Sequence, residues 1–260
     1  MTLLKQVQRG CVDVPRRTLL YGTHGIGKST FGAMAEQPIF VQTEDGLAHI
    51  DCERFPLAGN YAEVMNALAA LYTEEHEYRT VIIDSADWLE RLIWARVCAD
   101  RSVETIEDIG YGKGYVFALT HWREVLTALD SLRNDRGMQV MLVAHAQIEK
   151  FANPETDTYD RYSPRLQKLA SALVQEWCDE VLFATYRIHT KTVNEGFDRK
   201  RVQGIGSGER IIRTTERPAH VAKNRLNLPD ELPLDYRVYA ALCRGEQLSS
   251  DQPEPQAQGE

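Results

Sequence analysis

The chain has 260 residues, is 43% hydrophobic and 26% charged, and carries a formal net charge of −8. That length supports one large domain or two small ones, with a core that needs no disulfide staples. Five cysteines with no C-x-x-C pair argue against a disulfide framework or zinc ribbon and point to a reducing cytoplasm; no apolar run is long enough for a membrane span or a signal peptide.

In chain order, Thr18-Leu19-Leu20-Tyr21 is a short apolar strand ending in a glycine-rich turn. Helical sequence follows over 28–36. Ile39–Gln42 reads as a second buried strand, closed by Thr43-Glu44-Asp45-Gly46. Val64, Leu68 and Leu71 give 61–75 helical spacing, and Thr80–Asp84 is a third buried strand. Residues 87–99 and 115–133 are helical, and Gln139–Ala144 is a fourth strand. Strands alternating with helices predict an α/β fold with a mainly parallel sheet covered on both faces. Residues 150–164, polar and aromatic with two prolines, read as a long loop. A helix is expected over 165–179. Val181–Tyr186 opens a region of C-terminal β-hairpins, with Gly204–Gly208 as the turn between two strands. One domain over 1–243 and a disordered acidic tail over 244–260 complete the reading.

Gly22-Thr23-His24-Gly25-Ile26-Gly27-Lys28-Ser29 fits G-x-x-x-x-G-K-[ST] between a strand and a helix, the context that this phosphate loop requires. Its glycines let backbone N–H groups face phosphates, and the helix start adds its positive dipole end. ATP and Mg²⁺ are therefore the expected cofactors. Lys28 is assigned to the β- and γ-phosphates, Ser29 to Mg²⁺, and Thr30 to the neighbourhood of the α-phosphate. Asp84 ends a later apolar strand, the position of a carboxylate that holds Mg²⁺. Hydrolysis also needs a group to orient or deprotonate water. Glu44 closes the second strand at the same sheet edge and is the candidate, with Asp45 the fallback. His145 closes the fourth strand there and is placed to sense the γ-phosphate.

With these parts in this order the chain resembles the RecA-like ATPase core. Thr80–Ala86 looks like the segment in which Ser follows the metal-binding Asp. Glu44 matches the family's catalytic carboxylate and His145 its sensor, where such proteins more often carry Asn-Gln. GTHGIGKST, QTEDG, VIIDSADWLE, GYGKGY and VAHAQIEKF together resemble small phage-encoded nucleotide-binding proteins of the RecA-like single-strand-annealing class. The resemblance implies a DNA-dependent ATPase that promotes annealing or recombination. Its implied partners are single-stranded DNA, further copies of the chain in a ring or filament, and a single-strand-binding protein. The alternative is a P-loop NTPase that loads or assembles a partner without touching DNA; a small-molecule kinase would need an arginine-rich lid that is not evident.

Residues 187–225 hold ten Lys/Arg against four acids, so this segment is +6 and the remainder −14. Such asymmetry can place a basic surface on an acidic body, or form only a solvated charged face. Two segments suit DNA. Tyr111, Lys113 and Tyr115 combine stacking surfaces with a cation in a glycine-rich loop. Phe151, Arg161 and Tyr162 do so in the segment after His145. GYGKGY reads equally as a structural turn or a subunit contact. Finally, Lys223 and Arg225 resemble the K-x-R element with which DnaB- and RadA-type proteins reach a neighbour's nucleotide; two exposed edge-strand cations are the alternative.

Overall fold

The computed structural model describes residues 14–195 and 199–246, together with residues 4, 7, 9 and 10. The elements are β1 (Arg17–Gly22), α1 (Lys28–Ala33), β2 (Pro38–Gln42), β3 (Glu53–Arg54), α2 (Tyr61–Thr73), β4 (Thr80–Asp84) and α3 (Ala86–Arg101). A 3-10 turn (Ile106–Ile109) leads to α4 (Lys113–Asp135), β5 (Gln139–Phe151), β6 (Tyr159–Pro164), α5 (Lys168–Trp177), β7 (Glu180–Glu195), β8 (Arg199–Arg213), β9 (Lys223–Asn224), β10 (Glu231–Pro233) and α6 (Tyr236–Cys243).

The sheet runs β10-β8-β7-β1-β5-β4-β2-β3. From β7 to β3 it is parallel, while β8, β9 and β10 join antiparallel. The central strands are continuous apolar runs because successive side chains enter opposite cores. Leu19, Tyr21, Ile39, Val41, Val81 and Ile83 pack with α2 to α5. Leu20, Phe40, Ile82, Met141 and Val143 pack with α1 and α6. This is the mixed α/β architecture expected, a mainly parallel sheet flanked by helices.

Register then brings the candidate residues to one edge. Gly22 lies opposite His145 on β5 and Ala184 on β7, and Asp84 lies opposite Gln42 on β2. β5 sits between the phosphate-loop strand and the Asp84 strand. Close approach explains Gly22 itself: a Cβ there would fall 2.3 Å from the Ala184 carbonyl oxygen.

Three local expectations change. The loop expected over 150–164 is largely a hairpin, because β5 runs on to Phe151 and pairs with β6. Cross-strand pairs supply the order that the polar composition hides. Phe151 meets Tyr159 with ring centroids 5.6 Å apart, and Arg161 bonds Glu149 at 3.0 Å. Gly204–Gly208 is not a turn but part of β8, paired with β7 across a register shift between Tyr186 and Ile188. Gly208 supplies a φ of 75° there, a backbone state that glycine adopts without strain. GYGKGY is a turn only to Gly112, since Lys113 begins α4. Most of the expected tail, residues 247–260, lies outside the described residues.

Candidate active site

The phosphate loop leaves β1 at Gly22 and enters α1 at Lys28. Gly25 and Gly27 take φ of 71° and 105°, where a side chain would be strained. Lys28 is 7% exposed, and its Nζ donates to the carbonyls of Gly22 (3.2 Å) and Thr23 (3.0 Å). Burial lowers the Lys28 pKa, against the pull of Asp84 and Glu44. Asp84 is 3% exposed, and its Oδ2 is buried without a hydrogen-bond partner among the described residues. Burial raises the Asp84 pKa, while the Ser29 hydroxyl and Lys28 act against that rise.

A buried carboxylate oxygen left unpaired beside a hydroxyl is a donor set that fits a hard divalent cation. Asp84 and Ser29 are the residues that would hold it. Around them is a cavity of about 330 Å³, also lined by His24, Gly25, Gly27, Lys28, Thr30, Glu44, Asp45 and His145. Most of the sequence-assigned nucleotide and catalytic residues thus meet in one cleft; Gly22, Thr23 and Ile26 of the phosphate loop, and Lys223 and Arg225, do not line it.

Glu44 is carried on a segment tied to β4. Thr43 N–H donates to the Asp84 carbonyl (2.8 Å), and the Thr43 hydroxyl to the Ser85 carbonyl (2.7 Å). The Glu44 carboxylate lies 4.0 Å from His145 Nε2, and burial raises its pKa. Asp45 is exposed on the rim of the same cleft.

His145 is itself held. Its backbone N–H donates to Asp87 Oδ1 at 3.0 Å, and its Nδ1 lies 3.1 Å from Asp87 Oδ2. This carboxylate orients the ring with Nε2 toward Glu44. Asp87 also accepts from Arg165 Nε at 3.0 Å. Despite burial, His145 and Arg165 hold the Asp87 carboxyl well below the usual carboxylate range. His24 packs edge-on against His145, with centroids 4.5 Å apart, and the proximity of His145 lowers its pKa.

Asp87 and Arg165 escaped sequence reasoning because they meet across 78 residues of chain. The spacing of Asp87, three residues after Asp84 at the start of a helix, was the available signal. Since its folded pKa is depressed, Asp87 contributes stability above the ordinary carboxylate pKa, and that contribution is lost as pH falls toward the folded value. Asp87→Asn is expected to destabilise the fold by about 3 kcal/mol or less, the low end for removing one partner of a buried pair, because Arg165 is partly exposed. It should also flatten the acid limb of the stability curve. Urea titrations from neutral pH to about pH 3 read both effects, and an unchanged acid limb would remove Asp87 as its source.

The proposed DNA residues occupy two places. Tyr111 is 101% exposed, and Lys113 is exposed at the start of α4. Tyr115 turns inward, donating its hydroxyl to Glu107 and meeting the Trp94 ring at 5.4 Å. In the β5–β6 hairpin, the Arg161 guanidinium lies 3.9 Å from the Phe151 ring centroid and pairs with Glu149. Tyr162 stacks on Phe183 at 5.0 Å. Lys223 Nζ donates to the carbonyls of Gln175, Glu176 and Cys178 at the end of α5, and Arg225 pairs with Asp179 at 3.2 Å. Strand β9 pairs with the start of β7, level with Thr18, so both cations lie at the sheet end opposite the phosphate loop of their own chain.

No helix among the described residues is long and apolar enough to cross a membrane. In comparisons with known proteins, the family model described as AAA domain matches residues 14–226. The SPbeta prophage-derived uncharacterized protein YorG of Bacillus subtilis (strain 168) is 24% identical over 137 residues, covering 50% of this chain and 41% of YorG. The match thus spans less than half the length of that relative.

Proposed function

The chain belongs to the AAA domain family, and we propose that it is an ATPase whose turnover is coupled to single-stranded DNA and that it promotes strand annealing or recombination. The observation that carries the nucleotide half is the unpaired, buried Asp84 Oδ2 beside Ser29 and Lys28 in the phosphate-loop cleft. Lys28 faces the β- and γ-phosphates. Ser29 and Asp84 would hold Mg²⁺, which would neutralise charge on the phosphate oxygens. Glu44 accepts the proton of the attacking water, and His145 reads the γ-phosphate through the Nε2 that Asp87 aims at the cleft.

The DNA half rests on the resemblance, the exposed Tyr111 and Lys113, and the concentration of cations over 187–225. Assembly into a ring or filament is proposed on the same resemblance. For Lys223 and Arg225 to act on a neighbour's ATP, they must exchange their present carbonyl and Asp179 contacts for phosphate. ATP turnover should therefore be measured with and without oligodeoxythymidine, across a range of protein concentration. Stimulation by DNA and rising specific activity are expected. Turnover that responds to neither, with no single-strand affinity at low salt, would favour the reading as a loading or assembly switch without direct DNA binding.

A further inference from the structure

β7 and β8 do not stop with the sheet. β7 pairs with β1 only through Ala184, yet its antiparallel pairing with β8 continues to Glu195 and Arg199. At 3.2–3.4 Å per residue the extension from Thr185 is roughly 35 Å long. It leaves the sheet at the edge that holds the phosphate loop, because Gly22 is level with Ala184. Between Arg187 and Arg213 the sequence has seven Lys/Arg and three acids, on a chain whose net charge is −8.

The root of this ribbon is built in a particular way. Its register shifts between Tyr186 and Ile188. Arg187, at that shift, donates to Glu231 Oε1 on β10 (2.9 Å) and to Glu209 Oε2 (2.7 Å). One step away, Arg210 lies opposite Tyr186. Its guanidinium reaches the phosphate loop, with Nη1 donating to the Ile26 carbonyl at 3.4 Å. A Cβ on Gly27 would stand 2.9 Å from that nitrogen. A cation from the base of a basic ribbon thus rests on the backbone that is assigned to phosphate binding.

We propose that the β7–β8 ribbon is a contact surface for single-stranded nucleic acid, and that Arg210 is the positioning residue that passes its occupancy to the phosphate loop. The proposal deepens the DNA-coupled ATPase reading and rests on it. A polyanion is attracted to the ribbon by counterion release, which needs cations but no base recognition. Tilting of the ribbon about the Arg187 anchor moves Arg210 against Ile26 and Gly27. That movement changes the loop's grip on the nucleotide without placing a new group in the cleft.

Binding of fluorescent oligodeoxythymidine against salt, and ATP turnover with and without it, should be followed for the wild type and four variants. Arg199→Gln/Lys200→Gln/Arg201→Gln should lower the slope of log affinity against log salt by about two units, at about 0.7 per single-strand contact. Arg199→Lys/Arg201→Lys keeps the charge and should keep the slope, which separates lost charge from a damaged fold. Arg210→Gln should still bind DNA, but its ATP turnover should no longer respond to it, and Arg210→Lys should restore part of the response. An unchanged slope in the neutral triple variant would overturn the ribbon as the surface, and a normal DNA response in Arg210→Gln would overturn the link. A wild type that turns over ATP but binds no oligonucleotide at any salt would bring down the DNA reading and the ribbon together.

Discussion

Lys28→Ala is expected to abolish ATP binding at ordinary concentrations while leaving the protein folded. The two halves of that expectation come from the same burial. Lys28 is 7% exposed and its ammonium is held by two backbone carbonyls, with its pKa lowered by burial. The folded chain therefore carries a cation at a desolvation cost, and removing it should not lower the melting temperature. Phosphate binding depends on that cation. Charge-assisted hydrogen bonds contribute roughly 1.5–3 kcal/mol each. Losing one to the β- and one to the γ-phosphate costs about 3–6 kcal/mol, a loss of affinity of at least about a hundredfold. Calorimetric titration with ATP and a thermal melt of the same sample test both halves. A folded variant with near-normal affinity and turnover would remove the phosphate-loop reading.

Much of this cleft could be read from the sequence because its parts are local. A phosphate loop needs glycine where φ is positive and where strands approach closely, and Gly22, Gly25 and Gly27 meet those needs. A carboxylate at the end of an apolar strand must appear at the sheet edge, as Asp84 does. What could not be read lies between elements. Arg165 reaches Asp87 across 78 positions, and Arg210 reaches Ile26 across 184. No spacing rule links such residues; register and bulges do. The ribbon and the β5–β6 hairpin were obscured for a related reason. Glycines and polar residues signal turns when read alone, but in both places a partner strand fixes an extended backbone. The annealing-class resemblance came from short segments, and the family match supports the coarser statement, a P-loop ATPase domain of the AAA family.

Glu44→Gln is expected to separate binding from chemistry. Glutamine keeps the size of the side chain but cannot take a proton, so ATP affinity should persist while hydrolysis falls by roughly 10²–10⁴, the usual contribution of a general base. The position supports this assignment over its neighbour. Glu44 is part-buried in the cleft and 4.0 Å from His145, whereas Asp45 is exposed on the rim. The pH dependence gives a second, independent readout. Burial raises the Glu44 pKa above its ordinary value. A base works only when ionised, so kcat should fall as pH drops through that raised value, earlier than an exposed glutamate would dictate. The residual activity of Glu44→Gln should lack this acid limb. Single-turnover phosphate release followed as pH is lowered from neutrality measures rate and limb together. If Asp45→Asn shows the loss and Glu44→Gln does not, the base is one residue further along the loop. If both retain wild-type rates, water is activated from outside this segment, and His145 with its Asp87 support becomes the group to replace next.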